Sequence, residues 1–138
     1  MAWRCRLVDH PRFGADEPRP QIGDMWFAPA MVEKYEHFYL DHQLSHQYKE
    51  QHLGKRPPLI VYLPPGFSFC VDDAYRGGHW GDNPAREGWT VTGEAPNITV
   101  APSINCVGTY HGWLQNGVLS DDVEGRAYPI KEQGEKDQ

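Results

Sequence analysis

Apolar positions in this chain recur with a period of two over most of its length, and that spacing predicts strands. Residues 3–8, WRCRLV, read as a first strand, and residues 23–28, GDMWFA, as a second. Leu59, Ile60, Val61, Tyr62 and Leu63 are apolar on both faces, the pattern of a strand buried centrally in a sheet. Pro64-Pro65-Gly66 turns the chain. Residues 67–72 return as an alternating strand, with Phe67, Phe69 and Val71 on one face and Ser68, Cys70 and Asp72 on the other. Residues 89–92 alternate again. So do residues 98–103 and 109–114, which are expected to pair as an antiparallel hairpin centred on Val107. Asn116-Gly117 predicts a type I′ turn into Val118-Leu119. Between Pro29 and Leu53 the period lengthens: Met31, Val32, Tyr35, Phe38 and Tyr39 recur at helical spacing. Ser45 is placed to cap a further turn carrying Tyr48 and Leu53, and Gly54 to stop it. The expected fold is mainly β (α+β). It is one compact domain over residues 1–130, built of antiparallel strands and hairpins with one helical excursion near 30–53. The apolar-poor tail, residues 131–138, is expected to be disordered.

Length supports this organisation, because 138 residues are enough for one hydrophobic core without disulfide or metal. Nineteen acidic against thirteen basic residues give a formal charge of −6, which argues against nucleic acid as a partner. No run of 18 apolar residues is present, so no membrane-spanning helix is expected. The N-terminal residues lack the apolar stretch of a secretory signal. Three cysteines, Cys5, Cys70 and Cys106, form no short-spaced pair, as expected of reduced thiols in a cytoplasmic protein.

The densest chemistry lies between Asn97 and Val118. With the hairpin centred on Val107, Ser103 faces His111 at a Cβ separation of about 5 Å. A serine hydroxyl needs an adjacent base, and the base an acid that orients it. Asp72 is the first candidate for that acid and Glu94 the second. Asn105 and the turn through Cys106 to Gly108 are candidate donors to an oxyanion. Trp89, Tyr110 and Trp113 are candidate walls of a substrate cleft, the alternative for the tryptophans being core. The Gly- and Asp-rich loop 73–87 is either a surface loop or a border of that cleft. Cys106 reads first as a small buried hydrophobe. A zinc set of Cys70, His79, Cys106 and His111 is the lesser alternative, lacking the close ligand pairs of such sites. His37, His42, His46 and His52 read as a solvated helical face. No cofactor or metal is called for. On spacing alone, a Ser and a His eight residues apart more often form a structural pair than a catalytic one.

Several segments carry a resemblance. Gly23-Asp24-Met25-Trp26-Phe27, Arg56-Pro57-Pro58-Leu59, Phe69-Cys70-Val71-Asp72 and Gly88-Trp89-Thr90-Val91-Thr92-Gly93-Glu94 resemble a family of small proteins of tailed phages, prophages and bacterial genomes. So does Pro102-Ser103-Ile104-Asn105-Cys106 running into Tyr110-His111-Gly112-Trp113 and Asn116-Gly117. That last core is also similar to the BubE-type peptidases encoded beside bacterial ubiquitin-like conjugation operons. The resemblance implies a serine peptidase acting on a ubiquitin-like or other protein C-terminus, with Ser103 as nucleophile and His111 as base. The chain lacks Cys-rich elements found in some of that wider group. Two other functions compete: a non-enzymatic phage accessory protein that binds a host or virion protein, and a zinc hydrolase.

Overall fold

The computed structural model describes residues 2–12, 14, 16–33, 44–74, 88–106 and 108–128. Among these residues nine strands and two short helices follow in the order β1 (Trp3–Arg4), β2 (Arg6–Leu7), β3 (Asp24–Phe27), α1 (Ala30–Glu33), α2 (His46–Gln51), β4 (Leu59–Leu63), β5 (Phe67–Cys70), β6 (Thr90–Thr92), β7 (Thr99–Cys106), β8 (Tyr110–Gln115) and β9 (Val118–Leu119). They form a five-stranded sheet, β1-β9-β8-β7-β6, and a four-stranded sheet, β2-β3-β4-β5. The fold is mainly β, as the alternation predicts.

The two sheets share one core. Val91, Ile98, Val100, Ile104, Tyr110 and Leu114 of the first meet Met25, Leu59, Val61, Leu63 and Val71 of the second. Strand β4 is buried at all five positions because its other face is covered as well. There Ile60 and Tyr62 join Trp26, Leu44, Tyr48 and Cys70 in a second core. Helix α2 closes this side. Its N-cap is Ser45, whose hydroxyl accepts from the Tyr48 N–H at 3.0 Å. The outer face of the five-stranded sheet carries no such cover among the described residues: Ala101, Asn105, Trp113 and Gln115 are exposed.

Some elements depart from the sequence expectation. The predicted first strand is divided between the sheets: β1 pairs with β9, β2 pairs in parallel with β3, and buried Cys5 marks the crossing. The Cys5 N–H donates to the Gly117 carbonyl at 2.8 Å, fixing the crossing on the β8–β9 turn. The helical excursion appears as its two ends, α1 and α2, while residues 34–43 lie outside the described residues, with Tyr35, His37, Phe38, Tyr39 and His42. Residues 75–87, including His79, and the tail 131–138 also lie outside them. Among the described residues no helix is long and apolar enough to cross a membrane.

Candidate active site

The hairpin β7–β8 holds the site, and its register decides which side chains meet. Val100 pairs with Leu114, as a centre at Val107 requires. Beyond an irregularity between Val100 and Ile104 the register moves by two: Ile104 pairs with Gly112, Asn105 with His111 and Cys106 with Tyr110. Residues 101–103 therefore face Trp113 alone, a bulge that contains Pro102, which has no N–H to give to a ladder. His111 stands opposite Asn105 rather than Ser103. A shift of two keeps every side chain on its face, so Ser103 becomes the diagonal neighbour of His111 and remains in reach. The Ser103 Oγ lies 3.0 Å from His111 Nε2.

The other imidazole nitrogen finds Glu124. His111 Nδ1 is 2.9 Å from Glu124 Oε2. An ionised carboxylate only accepts, so Nδ1 carries the proton and Nε2 is left to accept from the serine hydroxyl. The second carboxylate oxygen of Glu124 accepts from the Arg126 guanidinium at 3.0 Å. Serine, imidazole and carboxylate thus form one continuous chain of hydrogen bonds at the edge of an open face.

Glu124 is delivered by the way the chain continues past β9. Beyond Leu119 it runs on along β8: Ser120 N–H donates to the Trp113 carbonyl at 2.8 Å and Val123 N–H to the His111 carbonyl at 2.7 Å. Between these contacts the buried Asp122 carboxylate stands in for a backbone carbonyl and accepts the His111 N–H at 2.8 Å. It also accepts the Arg126 N–H at 2.7 Å and the Arg126 guanidinium at 3.0 Å. Burial raises the Asp122 carboxyl, but these main-chain donors and the guanidinium outweigh it and hold the group below the usual carboxylate range. The turn closes with Gly125 N–H on the Asp122 carbonyl, Gly125 lying at φ +87° where a side chain would be strained.

Beneath the site, Trp89 and Tyr110 support it from the core and do not line a cleft. The Trp89 indole N–H donates to the Ser103 carbonyl at 3.2 Å, and its ring packs edge-on against Phe69 at 5.1 Å. Tyr110 is fully buried, its hydroxyl on the Ser120 carbonyl at 2.7 Å. That hydroxyl passes directly under Gly112, where any Cβ would collide with it. Trp113, two residues from His111 on the same face, is 41% exposed and borders the site.

Other candidates lie elsewhere. Asp72 does not reach His111: its carboxylate is buried against Arg56 at 2.8 and 3.0 Å and accepts the Leu59 N–H at 2.9 Å, so its acceptor capacity is taken up. Glu94 sits in the β6–β7 turn, at the opposite end of β7 from the hairpin tip. The tip itself is a turn in which Thr109 N–H donates to the Cys106 carbonyl, with Gly108 at φ +83°. Three extended residues, about 10 Å, separate Ser103 from the Cys106 end of that turn, so among the described residues Gly108 brings no oxyanion donor to Ser103. Asn105 is the member of that group beside the site. Cys106 packs on the first core, and burial pushes its thiol up to about 11, leaving little thiolate at neutral pH. Cys70 belongs to the second core, so the four-stranded sheet separates the two thiols that a shared zinc would need. Among the described residues no three His, Cys, Asp or Glu groups are arranged to hold a metal ion.

Glu124 is the member that reading the sequence missed, but a signal for it existed. The turn at Asn116-Gly117 pairs Gln115 with Val118 and Leu114 with Leu119. Extending that register brings Asp122 opposite His111, and Glu124 follows within two residues. Comparison with family models, with curated proteins and with solved structures finds no match.

Proposed function

We propose that this protein is a serine hydrolase, most concretely a peptidase acting on a ubiquitin-like or other protein C-terminus, with Ser103, His111 and Glu124 as its catalytic residues. The observation that carries the reading is the unbroken relay Ser103–His111–Glu124, with both contacts at 3.0 Å or less. The class of substrate rests on the resemblance of the Pro102–Cys106 and Tyr110–Trp113 segments. In this mechanism the Ser103 hydroxyl attacks the carbonyl carbon as its proton passes to His111 Nε2. Glu124 stabilises the imidazolium that forms, and Arg126 keeps the carboxylate aimed. The Asn105 amide, cross-strand from His111 on the same open face, donates to the developing oxyanion. His111 returns the proton to the leaving amine, leaving an ester at Ser103. Water, deprotonated by the same imidazole, then releases the acid and restores the hydroxyl.

The test is intact mass after incubation with a fluorophosphonate. Ser103 displaces fluoride, giving one adduct on the wild type that Ser103→Ala and His111→Ala both lose while their melting temperatures stay within a few degrees. Wild-type protein that is folded and forms no adduct contradicts the proposal. It would favour a binding role for this face, where exposed Trp113 supplies an apolar anchor.

A further inference from the structure

Resting on the serine-hydrolase reading, an edge of β7 left unpaired among the described residues deepens it by indicating how a substrate is held. His111 donates its N–H to Asp122 and accepts at its carbonyl from Val123, so both its main-chain groups point away from β7. Its cross-strand partner Asn105 therefore belongs to a pair that exchanges no main-chain hydrogen bonds. The Asn105 N–H and C=O point to the other side of β7, the side on which β6 lies. Strand β6, however, pairs only with Thr99, Val100 and Ala101. Past it, the Trp89 indole takes the Ser103 carbonyl, and nothing among the described residues reaches Asn105, which is exposed. Gly88 itself lies against the Asp73 carbonyl and Ser45, where any Cβ would collide with them.

We propose that the acyl side of a polypeptide substrate docks here as an added strand, antiparallel to β7, exchanging two main-chain hydrogen bonds with Asn105. Such strand addition draws its affinity from the main chain and tolerates varied side chains. An added strand in line with β6 runs antiparallel to β7, so its C-terminal end advances from Asn105 towards Ser103. Two residues of strand span the distance between those levels. The residue on Asn105 is therefore the third one counted back from, and including, the residue that carries the scissile carbonyl. At the level of Ser103 the path in the sheet is closed by Gly88 and Trp89. The peptide must lift onto the open face there, where the Ser103 Oγ and His111 stand. The site thus selects an extended polypeptide segment over a small ester or a folded surface.

The test uses the intact protein and a series of N-acetyl-trialanyl diphenyl phosphonates, in which Ser103 Oγ bonds to phosphorus and phenol leaves. One member is unmodified. A second carries an N-methyl group on the third residue, removing the N–H that donates to Asn105. A third carries it on the second residue, whose N–H points away from β7. The proposal predicts that methylation at the third residue slows Ser103 labelling by about tenfold, the worth of one to two main-chain hydrogen bonds. Methylation at the second residue leaves the rate within about twofold of the unmodified peptide. Equal effects at the two positions, with Ser103 still labelled by a fluorophosphonate, overturn the docking proposal and leave the hydrolase reading standing. Failure of every phosphonate and fluorophosphonate to label folded protein overturns both.

Discussion

Among the corners where an arginine meets a carboxylate in the described residues, the one at Asp72 and the one at Glu124 do opposite things. Where β5 ends, Asp72 is 2% exposed and accepts both Arg56 guanidinium nitrogens and the Leu59 N–H. Arg56 in turn lies over the Tyr48 ring at 5.7 Å, and the Tyr48 hydroxyl bonds the Arg56 carbonyl. Every group there is satisfied by another part of the fold. Beside β8, Glu124 is 48% exposed and gives only one oxygen to Arg126. The other meets an imidazole whose far nitrogen reaches a serine on an open face. The first corner holds strands together. The second leaves one end of its hydrogen-bond chain on an open face. A carboxylate beside an arginine is thus assigned by what remains after its partners are counted.

The contrast predicts a graded set of outcomes. The largest is at the open end of the relay: His111→Ala lowers fluorophosphonate labelling of Ser103 by about 1,000-fold or more, measured by mass, with little change in melting temperature. At the closed corner, Asp72→Asn leaves a largely buried guanidinium short of its charge partner. We expect a loss of about 3 kcal/mol in denaturant unfolding, and a melting point lower by roughly 10 °C. The labelling rate of the molecules that remain folded is unchanged. Arg126→Met sits between the two regimes, loosening Glu124 without removing it; labelling should fall by about fivefold, and the melting point should fall as well, because the buried Asp122 carboxylate loses its guanidinium partner. Cys106→Ser has the smallest effect, leaving Ser103 labelling within about twofold.

The same thiol gives a pH test with a definite sign. Cys106 is raised from 9.0 to about 11 and Cys5 to about 12, in both cases chiefly by burial. Folded thiols therefore hold their protons where unfolded ones have lost them. Their stabilising contribution is fully present below pH 9.0 and is lost as pH rises towards 11 and 12. Urea midpoints should accordingly fall across that window. Alkylation of Cys106 in the folded protein should climb by about tenfold per pH unit up to the same limit.

Much of the fold was legible because alternation reports burial directly. The unbroken apolar run at Leu59–Leu63 became the strand with a core on each side, and Phe69 and Cys70 divided between those cores as their positions required. Ser45 and Asn116-Gly117 announced a cap and a turn through chemistry local to themselves; Asn116 and Gly117 both adopt the positive φ that a type I′ turn needs. Features set by distant partners were not legible. Residues 3–8 alternate as one strand, and only the partners on either side of Cys5 divide them between two sheets. The bulge at Pro102 moved the register by two, so the Ser103–His111 contact survived while the opposition expected to produce it did not. Asp72 drew notice as an acidic residue on a polar strand face, but Arg56, sixteen positions earlier, claims it. Glu124 lies past the last alternating strand, and its role depends on Asp122 folding the chain back onto His111.

The most direct test of the relay compares Glu124→Gln with Asp72→Asn in one experiment, following the fluorophosphonate labelling rate at Ser103 by intact mass at a temperature where both variants are folded. Glutamine keeps the shape of the carboxylate but cannot hold the imidazole in the right tautomer with the same charge. We expect a loss of about 100-fold for Glu124→Gln, with the melting point within a few degrees of wild type, and an unchanged rate for Asp72→Asn. A wild-type labelling rate in Glu124→Gln, or a comparable loss in folded Asp72→Asn, would contradict it.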